Sequence, residues 1–200
     1  MTQQQTLSPA SDYEAVRAAI RFLSDNGPDE ADLAAFARAL GYSERQLTDL
    51  FRRWCGLTPK SFAQAVALDH AKTLLADRQS VLDTTFEIGL SSTSRLHDLF
   101  VTHMAMPPGV WRNRGAGIEM TWGAAPSPFG TAVLVTTEYG LAGIGFADGE
   151  MTVQQAFEDL RDRWPNASYS RDDGRIAPVA ARVFDPARWD PDHPVRVVLI

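Results

Sequence analysis

Residues 41–51, GYSERQLTDLF, return as residues 89–100, GLSSTSRLHDLF, with one extra residue ahead of the leucine. From that leucine on the offset is a constant 49: Leu47, Asp49, Leu50 and Phe51 pair with Leu96, Asp98, Leu99 and Phe100, and Pro59 and Phe62 pair with Pro108 and Trp111. An internal repeat of this kind is one supersecondary unit used twice. In the first copy Leu33, Phe36, Ala37 and Leu40 recur at i, i+3, i+4 and i+7, the apolar stripe of a helix packed on a core. Gly41 ends it, Ser43 caps a second helix, and Leu47, Leu50, Phe51 and Trp54 form that helix's inward stripe. Two short helices joined by a glycine turn make a helix-turn-helix.

The second copy runs from Val81 through Thr85 and Ile88 to Gly89, with Ser91 or Ser92 as cap and Leu96, Leu99 and Phe100 inward. Between the copies, TPKSFAQAVALDHAKTLLADR opens with Thr58 as cap and Pro59 at the first helical position. Phe62, Val66, Leu68, Ala71, Leu74 and Leu75 continue in helical rhythm, so some 17 residues form a linking helix about 25 Å long. Ahead of both copies, Tyr13, Val16, Ile20 and Leu23 mark a first helix that closes at Asn26-Gly27. The expected fold of residues 12–115 is therefore mainly α: seven helices, with two helix-turn-helix units joined by a linking helix. Residues 1–11 read as a disordered tail.

If the Leu and Phe positions face inward, helical geometry turns Arg45, Asp49 and Arg52 outward, with Gln46, Thr48 and Arg53 on the flanks. The second copy presents Ser94 and Asp98, flanked by Arg95, His97 and Thr102. Arg and Gln can make bidentate hydrogen bonds to base edges, while Ser, Thr and Arg hold phosphates. One helix with outward arginines is most often just a solvated helix, and Asp49 and Asp98 would repel phosphate. Two such helices on a linker of this length match reading heads in successive major grooves, spaced about 34 Å apart. The candidate DNA-binding residues are Arg45, Gln46, Thr48, Arg52, Arg53, Ser94, Arg95 and His97.

Residues 12–113 resemble the AraC/XylS-type DNA-binding domain, the likeness being carried by LAAFARALGYSERQLTDLFRRWCGLTPKSF, the linking helix, FEIGLSSTSRLHDLF and MPPGVWR. The resemblance implies a transcription regulator acting on double-stranded DNA, with RNA polymerase as a further partner. Thr85 departs from the alanine usual in that family, and Val101-Thr102 replaces a commonly basic pair.

After Gly117 short apolar or alternating pieces, IEMTWG, TAVLVTTE and LAGIGFAD, are divided by glycine and proline turns, which predicts an antiparallel hairpin or meander. Val153, Phe157, Leu160 and Trp164 then mark a helix stopped by Pro165, and VRVVLI at 195–200 reads as another strand. The join, from SRLHDLF through PSPFG to GLAGIGF, resembles that of the Ada-type methylated-DNA–protein-cysteine methyltransferases. That resemblance implies a ribonuclease H-like α+β domain over residues 116–200, incomplete in this chain. The family's acceptor Pro-Cys-His-Arg motif is missing, so a truncated or degenerate O6-alkylguanine-DNA alkyltransferase is the alternative to a regulator, and alkyl transfer by this chain is not expected.

The lone cysteine, Cys55, lies at the C-terminal end of the first recognition helix. The dipole there disfavours a thiolate, no base neighbours it, and a packing role is expected despite Arg52 and Arg53. One cysteine excludes an internal disulfide, and no Cys-x-x-Cys or His-rich cluster suggests zinc, so no metal or cofactor is expected. No stretch approaches a membrane span and the N-terminus has no signal-like apolar run, which favours a cytoplasmic protein. A net charge of −6 counts against DNA, but residues 1–115 carry 12 Lys+Arg and 13 Asp+Glu whereas residues 116–200 carry 7 and 12, so −5 lies in the second part. A small-molecule sensor over residues 118–200 is a third reading, although no ligand-binding constellation is visible there.

Overall fold

The computed structural model describes residues 9–189. Residues 1–8 of the tail predicted at 1–11, and the predicted strand at 195–200, lie outside the described residues. The first half is helical and carries the helix-turn-helix repeat, and a small α+β region with a four-stranded mixed sheet follows. The chain divides into two compact units, residues 1–95 and 96–200. The division falls inside a helix, whereas the change in sequence texture falls near 115.

In the first unit α1 (Pro9–Glu30) starts within the stretch read as a tail. It breaks at Gly27, where φ 70 and ψ 174 leave helical space, with Pro28 next; this is where the sequence predicts its end. Then come α2 (Leu33–Ala39), capped by Asp32, and α3 (Glu44–Cys55), capped by Ser43. The link is α4 (Pro59–Ala76), with Thr58 Oγ1 accepting from the Ser61 N–H at 3.0 Å and Pro59 in the first turn. The second copy opens with α5 (Val81–Glu87), capped by Ser80, and continues into α6 (Thr93–Met104).

Ala15, Val16, Ala19 and Leu23 of α1 share one core with Ala37, Leu47, Leu50, Phe51 and Ala63. Phe22 stacks on Phe36 with ring centroids 4.2 Å apart. Three residues assigned inward from the sequence lie outside: Tyr13, Trp54 and Val66 are exposed. On α4 the buried face is Ala63, Ala67 and Ala71 with Leu74 and Leu75, one residue round from Phe62 and Val66. Small side chains let helix backbones approach closely, so this narrow alanine face takes the inward position against α1. Thr85 is fully buried, and its hydroxyl donates to the Val81 carbonyl at 2.7 Å, so the polar atom is satisfied within its own helix.

The second unit holds the rest of α6, α7 (Pro108–Arg112), the meander β1 (Glu119–Ser127), β2 (Gly130–Thr137) and β3 (Gly140–Ala147), then α8 (Val153–Arg161), β4 (Ser168–Arg171) and α9 (Asp173–Phe184). Strand order is β3-β2-β1-β4, antiparallel except where β4 joins β1 in parallel. Successive residues of a strand point to opposite faces. Trp122 stacks on Phe157 of α8 at 3.8 Å, while a Cβ on the next residue, Gly123, would lie 3.0 Å from Ile176 Cγ1 of α9. The two helices therefore cover opposite faces of the sheet. Ile176 and Ala180 close the core on Ala125, Ala132, Leu134 and Leu141. Within this unit Trp111 bridges Phe100 and Trp164, and Asn166 donates to the Asn113 carbonyl at 3.0 Å, so residues 96–115 pack with the α+β elements that follow them.

Two glycines of the first unit set a test of its packing. Gly27 sits at φ 70 and a Cβ there would meet the Ile88 carbonyl oxygen at 2.9 Å; Gly41 sits at φ 80 with open space around it. Gly41→Ala should cost about 1–2 kcal/mol of left-handed backbone strain. Gly27→Ala should cost more than about 2 kcal/mol, because the backbone clash adds to the same strain. Denaturant unfolding of both variants checks the order.

Candidate nucleic-acid interface

The start of α3 is closed locally. Ser43 Oγ accepts from the Gln46 N–H at 3.2 Å, and Gln46 Oε1 accepts from the Ser43 N–H at 2.8 Å, a reciprocal capping box. Leu47, Leu50 and Phe51 are buried, with Phe51 edge-on to Phe62 at 5.5 Å. Gly56 in the left-handed region ends the helix and returns its N–H to the Arg52 carbonyl at 2.8 Å. Burying that stripe leaves Arg45, Gln46, Asp49, Arg52 and Arg53 exposed, with Thr48 half-buried on the flank.

These side chains are engaged to different degrees. Arg45, 92% exposed, has Nε 3.8 Å from Asp49 Oδ2, a solvated pair one helical turn apart. Such pairs contribute only about 0.3–0.5 kcal/mol and open readily for a phosphate or base. Arg53 Nη2 lies 3.8 Å from Asp12 Oδ2, and Arg52 has no ion pair among the described residues. Trp54 leaves the stripe and lies against Tyr13 with ring centroids 6.1 Å apart, both rings half-exposed. It lies in the last turn of α3, beyond the buried triplet.

In the second copy Leu96, Leu99 and Phe100 are buried, and Ser94, Arg95, His97 and Asp98 are exposed. His97 Nδ1 is 3.8 Å from Asp98 Oδ1, and its ring meets Tyr139 edge-on at 6.4 Å. Arg95 differs from every other candidate. Its Nε donates to Asp29 Oδ2 at 3.2 Å and its Nη2 to Asp29 Oδ1 at 2.7 Å, a bidentate pair. The Ser91 N–H and hydroxyl donate to the same Oδ2 at 3.2 and 2.8 Å. The Arg95 guanidinium, the largest influence, holds the Asp29 carboxyl down at about 2 against the opposing effect of burial, with the Ser91 donors adding to the lowering. Asp29 escaped the sequence reading, which named Ser91 only as a candidate cap, since nothing in a stretch such as NGPDE says which distant residue its carboxylate will meet.

Cys55 is partly buried against the first unit's core, and burial pushes its thiol up. Among the described residues no group of three His, Cys, Asp or Glu side chains could hold a metal ion, and no helix is long and apolar enough to cross a membrane.

Residues 36–114 match the family model of a helix-turn-helix domain, and that segment of the chain is a helix-turn-helix domain. Among curated proteins, histidine kinase P4 of Formosa agariphila is 24% identical over 116 residues, 57% of this chain. The matched region spans 8% of that relative's own length. Among solved structures, a transcriptional regulator with an AraC-type DNA-binding domain from Chromobacterium violaceum is similar at 23% identity and a TM-score of 0.45, over 54% of this chain and 97% of that one. The C-terminal domain of AraT, a response regulator from Geobacillus stearothermophilus, is similar at 18% identity and a TM-score of 0.45, over 55% and 88%. A DNA-binding transcriptional dual regulator from Escherichia coli K-12 gives 19% and 0.42, over 50% and 96%.

The pair at Asp29 has a pH signature. A carboxylate whose folded pKa, about 2, lies below its ordinary 3.8 stabilises the fold above the ordinary value. That stabilisation is lost as pH falls from about 4 toward 2. Asp29→Asn should therefore lower the melting temperature at pH 7 and flatten its fall between pH 4 and 2, as followed by circular dichroism.

Proposed function

We propose that this chain is a sequence-specific DNA-binding transcription regulator of the AraC type, with the outward faces of α3 and α6 set against double-stranded DNA. The observation that carries the reading is the repeated Leu-x-x-Leu-Phe unit inside a helix-turn-helix domain. In each copy the three apolar residues are buried, and the outward face carries side chains able to bond bases and phosphates. Residues 12–115 act as the DNA-binding domain in this reading. Arg45, Gln46, Thr48, Arg52 and Arg53 serve one half-site and Ser94, Arg95 and His97 the other. RNA polymerase is the partner such a regulator addresses, in the cytoplasm.

The finer reading is an Ada-like one. It rests on the sequence at the join between the two parts and on strand order: an antiparallel meander, a helix and a fourth strand parallel to β1 fit a ribonuclease H-like domain over residues 116–200. Alkyl transfer by the chain itself is disfavoured. Its lone thiol, Cys55, is raised by burial and sits at a helix C-terminus, where the dipole opposes a thiolate.

Selection from random duplex DNA should enrich a two-part site with its halves about one helical turn apart. Enrichment of no site, with weak and salt-sensitive binding to every duplex, would defeat the reading. At the winning site, replacing both Arg45 and Arg52 by alanine should weaken binding at least roughly tenfold and reduce the salt slope by one to two charges. Thermal stability should move little, since both side chains are exposed.

A further inference from the structure

The constant offset of 49 between the repeats places Arg95 at the position that Gln46 holds in the first copy. Both are the third residue of their helix, α3 starting at Glu44 and α6 at Thr93. Gln46 closes the capping box because its side-chain oxygen accepts a hydrogen bond from the Ser43 N–H. Arginine has five donors and no acceptor, so Arg95 cannot close that box. The counterpart of Ser43 just ahead of α6 is Ser92; the Asp29 carboxylate takes instead the N–H of Ser91, one residue further out and 62 residues after Asp29 in the chain.

The geometry points to Asp29 as the positioning residue for the first turn of α6, with Arg95 serving as the anchor of that clamp and not as a reader of bases. This inference rests on the reading of α6 as a DNA-reading helix. Three features of the first unit converge on it. The Asp29 side chain is only 10% exposed and takes four hydrogen bonds from Ser91 and Arg95, whereas Arg45 at the front of the first reading helix keeps only a long solvated pair. The break in α1 at Gly27-Pro28 delivers Asp29 to that place. The Gly27 and Gly89 backbones touch: a Cβ on Gly89 would lie 3.3 Å from both the Asn26 carbonyl oxygen and Gly27 Cα. The turn of the second copy is thus seated on the end of α1, whereas in the first copy a Cβ on Gly41 would meet nothing within 4 Å and the helix start is closed by its own side chains.

The clamp also decides which charge DNA meets. Paired, Asp29 and Arg95 neutralise each other. Removing the carboxylate takes away the anion that offsets Arg95, while removing the arginine exposes an anion beside the helix start. Asp29→Asn should therefore keep or raise affinity for random duplex DNA while lowering discrimination at one half-site. Arg95→Ala should lower both.

The test combines two measurements on the full chain. Amide hydrogen exchange of the free protein should show the Ser91 N–H exchanging at least roughly tenfold faster in Asp29→Asn, the loss expected for one charge-assisted hydrogen bond. Ser91→Ala, which removes only the hydroxyl donor, should shift the same amide by less and guards against a variant that merely unfolds. Selection from random duplexes should then show Asp29→Asn losing preference in the half-site that the Arg45 and Arg52 variants leave intact. Faster exchange with both half-sites still fully discriminated would overturn the positioning role, and so would loss of that half-site in Arg95→Ala but not in Asp29→Asn, which would make Arg95 a direct reader. A wild-type chain that selects no site would defeat the DNA-reading function itself, while the exchange measurement would still report whether the clamp holds Ser91.

Discussion

Burial of one triplet, leucine, leucine and phenylalanine at i, i+3 and i+4, is the constraint on which both repeats depend. Leu47, Leu50 and Phe51 are at most 2% exposed, and Leu96, Leu99 and Phe100 at most 5%. A buried Leu or Phe stabilises by about 1.5–3 kcal/mol relative to exposure, so each triplet outweighs any single polar contact on its helix. Once those three positions are inward the rotation of the helix is set, and the opposite face is whatever the intervening residues supply. In α3 that face carries Arg45, Gln46 and Arg52, and in α6 it carries Ser94, Arg95 and His97. Function is written in the residues between the apolar ones, and the apolar ones determine where those residues point.

The two copies reach the same local form by different electrostatics. The first helix start is self-sufficient, because serine and glutamine satisfy each other's backbone partners within four residues. The second borrows a carboxylate from α1 and uses an arginine to hold it. A self-capped helix start depends on nothing beyond its own turn, whereas one held by a distant residue moves with the element that holds it. Glycine at both sides of the contact, Gly27 and Gly89, makes the approach possible, since neither backbone could come so close past a Cβ.

The second unit is built on another principle. Its sheet is covered on both faces, so its strands read as apolar runs and not as a clean alternation. Gly123 and Gly143 sit under Ile176 and Leu160, where a side chain would hold the helix away from the sheet. The stacked pair Trp122 and Phe157 fills the other face of β1, and Tyr169, raised to about 12 mainly by burial, closes against Phe157 and donates to the Trp164 carbonyl at 3.0 Å. The meander and α8 were legible because β-branched runs, glycine turns and an apolar helical stripe stopped by proline are local signals. β4 and α9 were not. SYSR is four polar residues whose strand character comes only from pairing with β1. α9 contains Gly174 and Pro178, residues that argue against a helix until a buried face of Ile176 and Ala180 is supplied by the sheet.

By itself the sequence determined the repeat, the helix periods, the caps at Ser43 and Thr58, the break at Gly27 and which residues lie between the buried ones, because each is dictated by neighbours within one or two turns. Only the tertiary structure decided that Trp54 would lie outside against Tyr13, that alanines and not Val66 would form the inner face of α4, and that Arg95 would be held by Asp29. Those outcomes depend on surfaces brought together across 41 residues in one case, Tyr13 to Trp54, and 66 in another, Asp29 to Arg95. An arginine's place in a helix shows that it faces outward; whether a carboxylate waits there is a property of the packing, since the charge that engages it belongs to another helix.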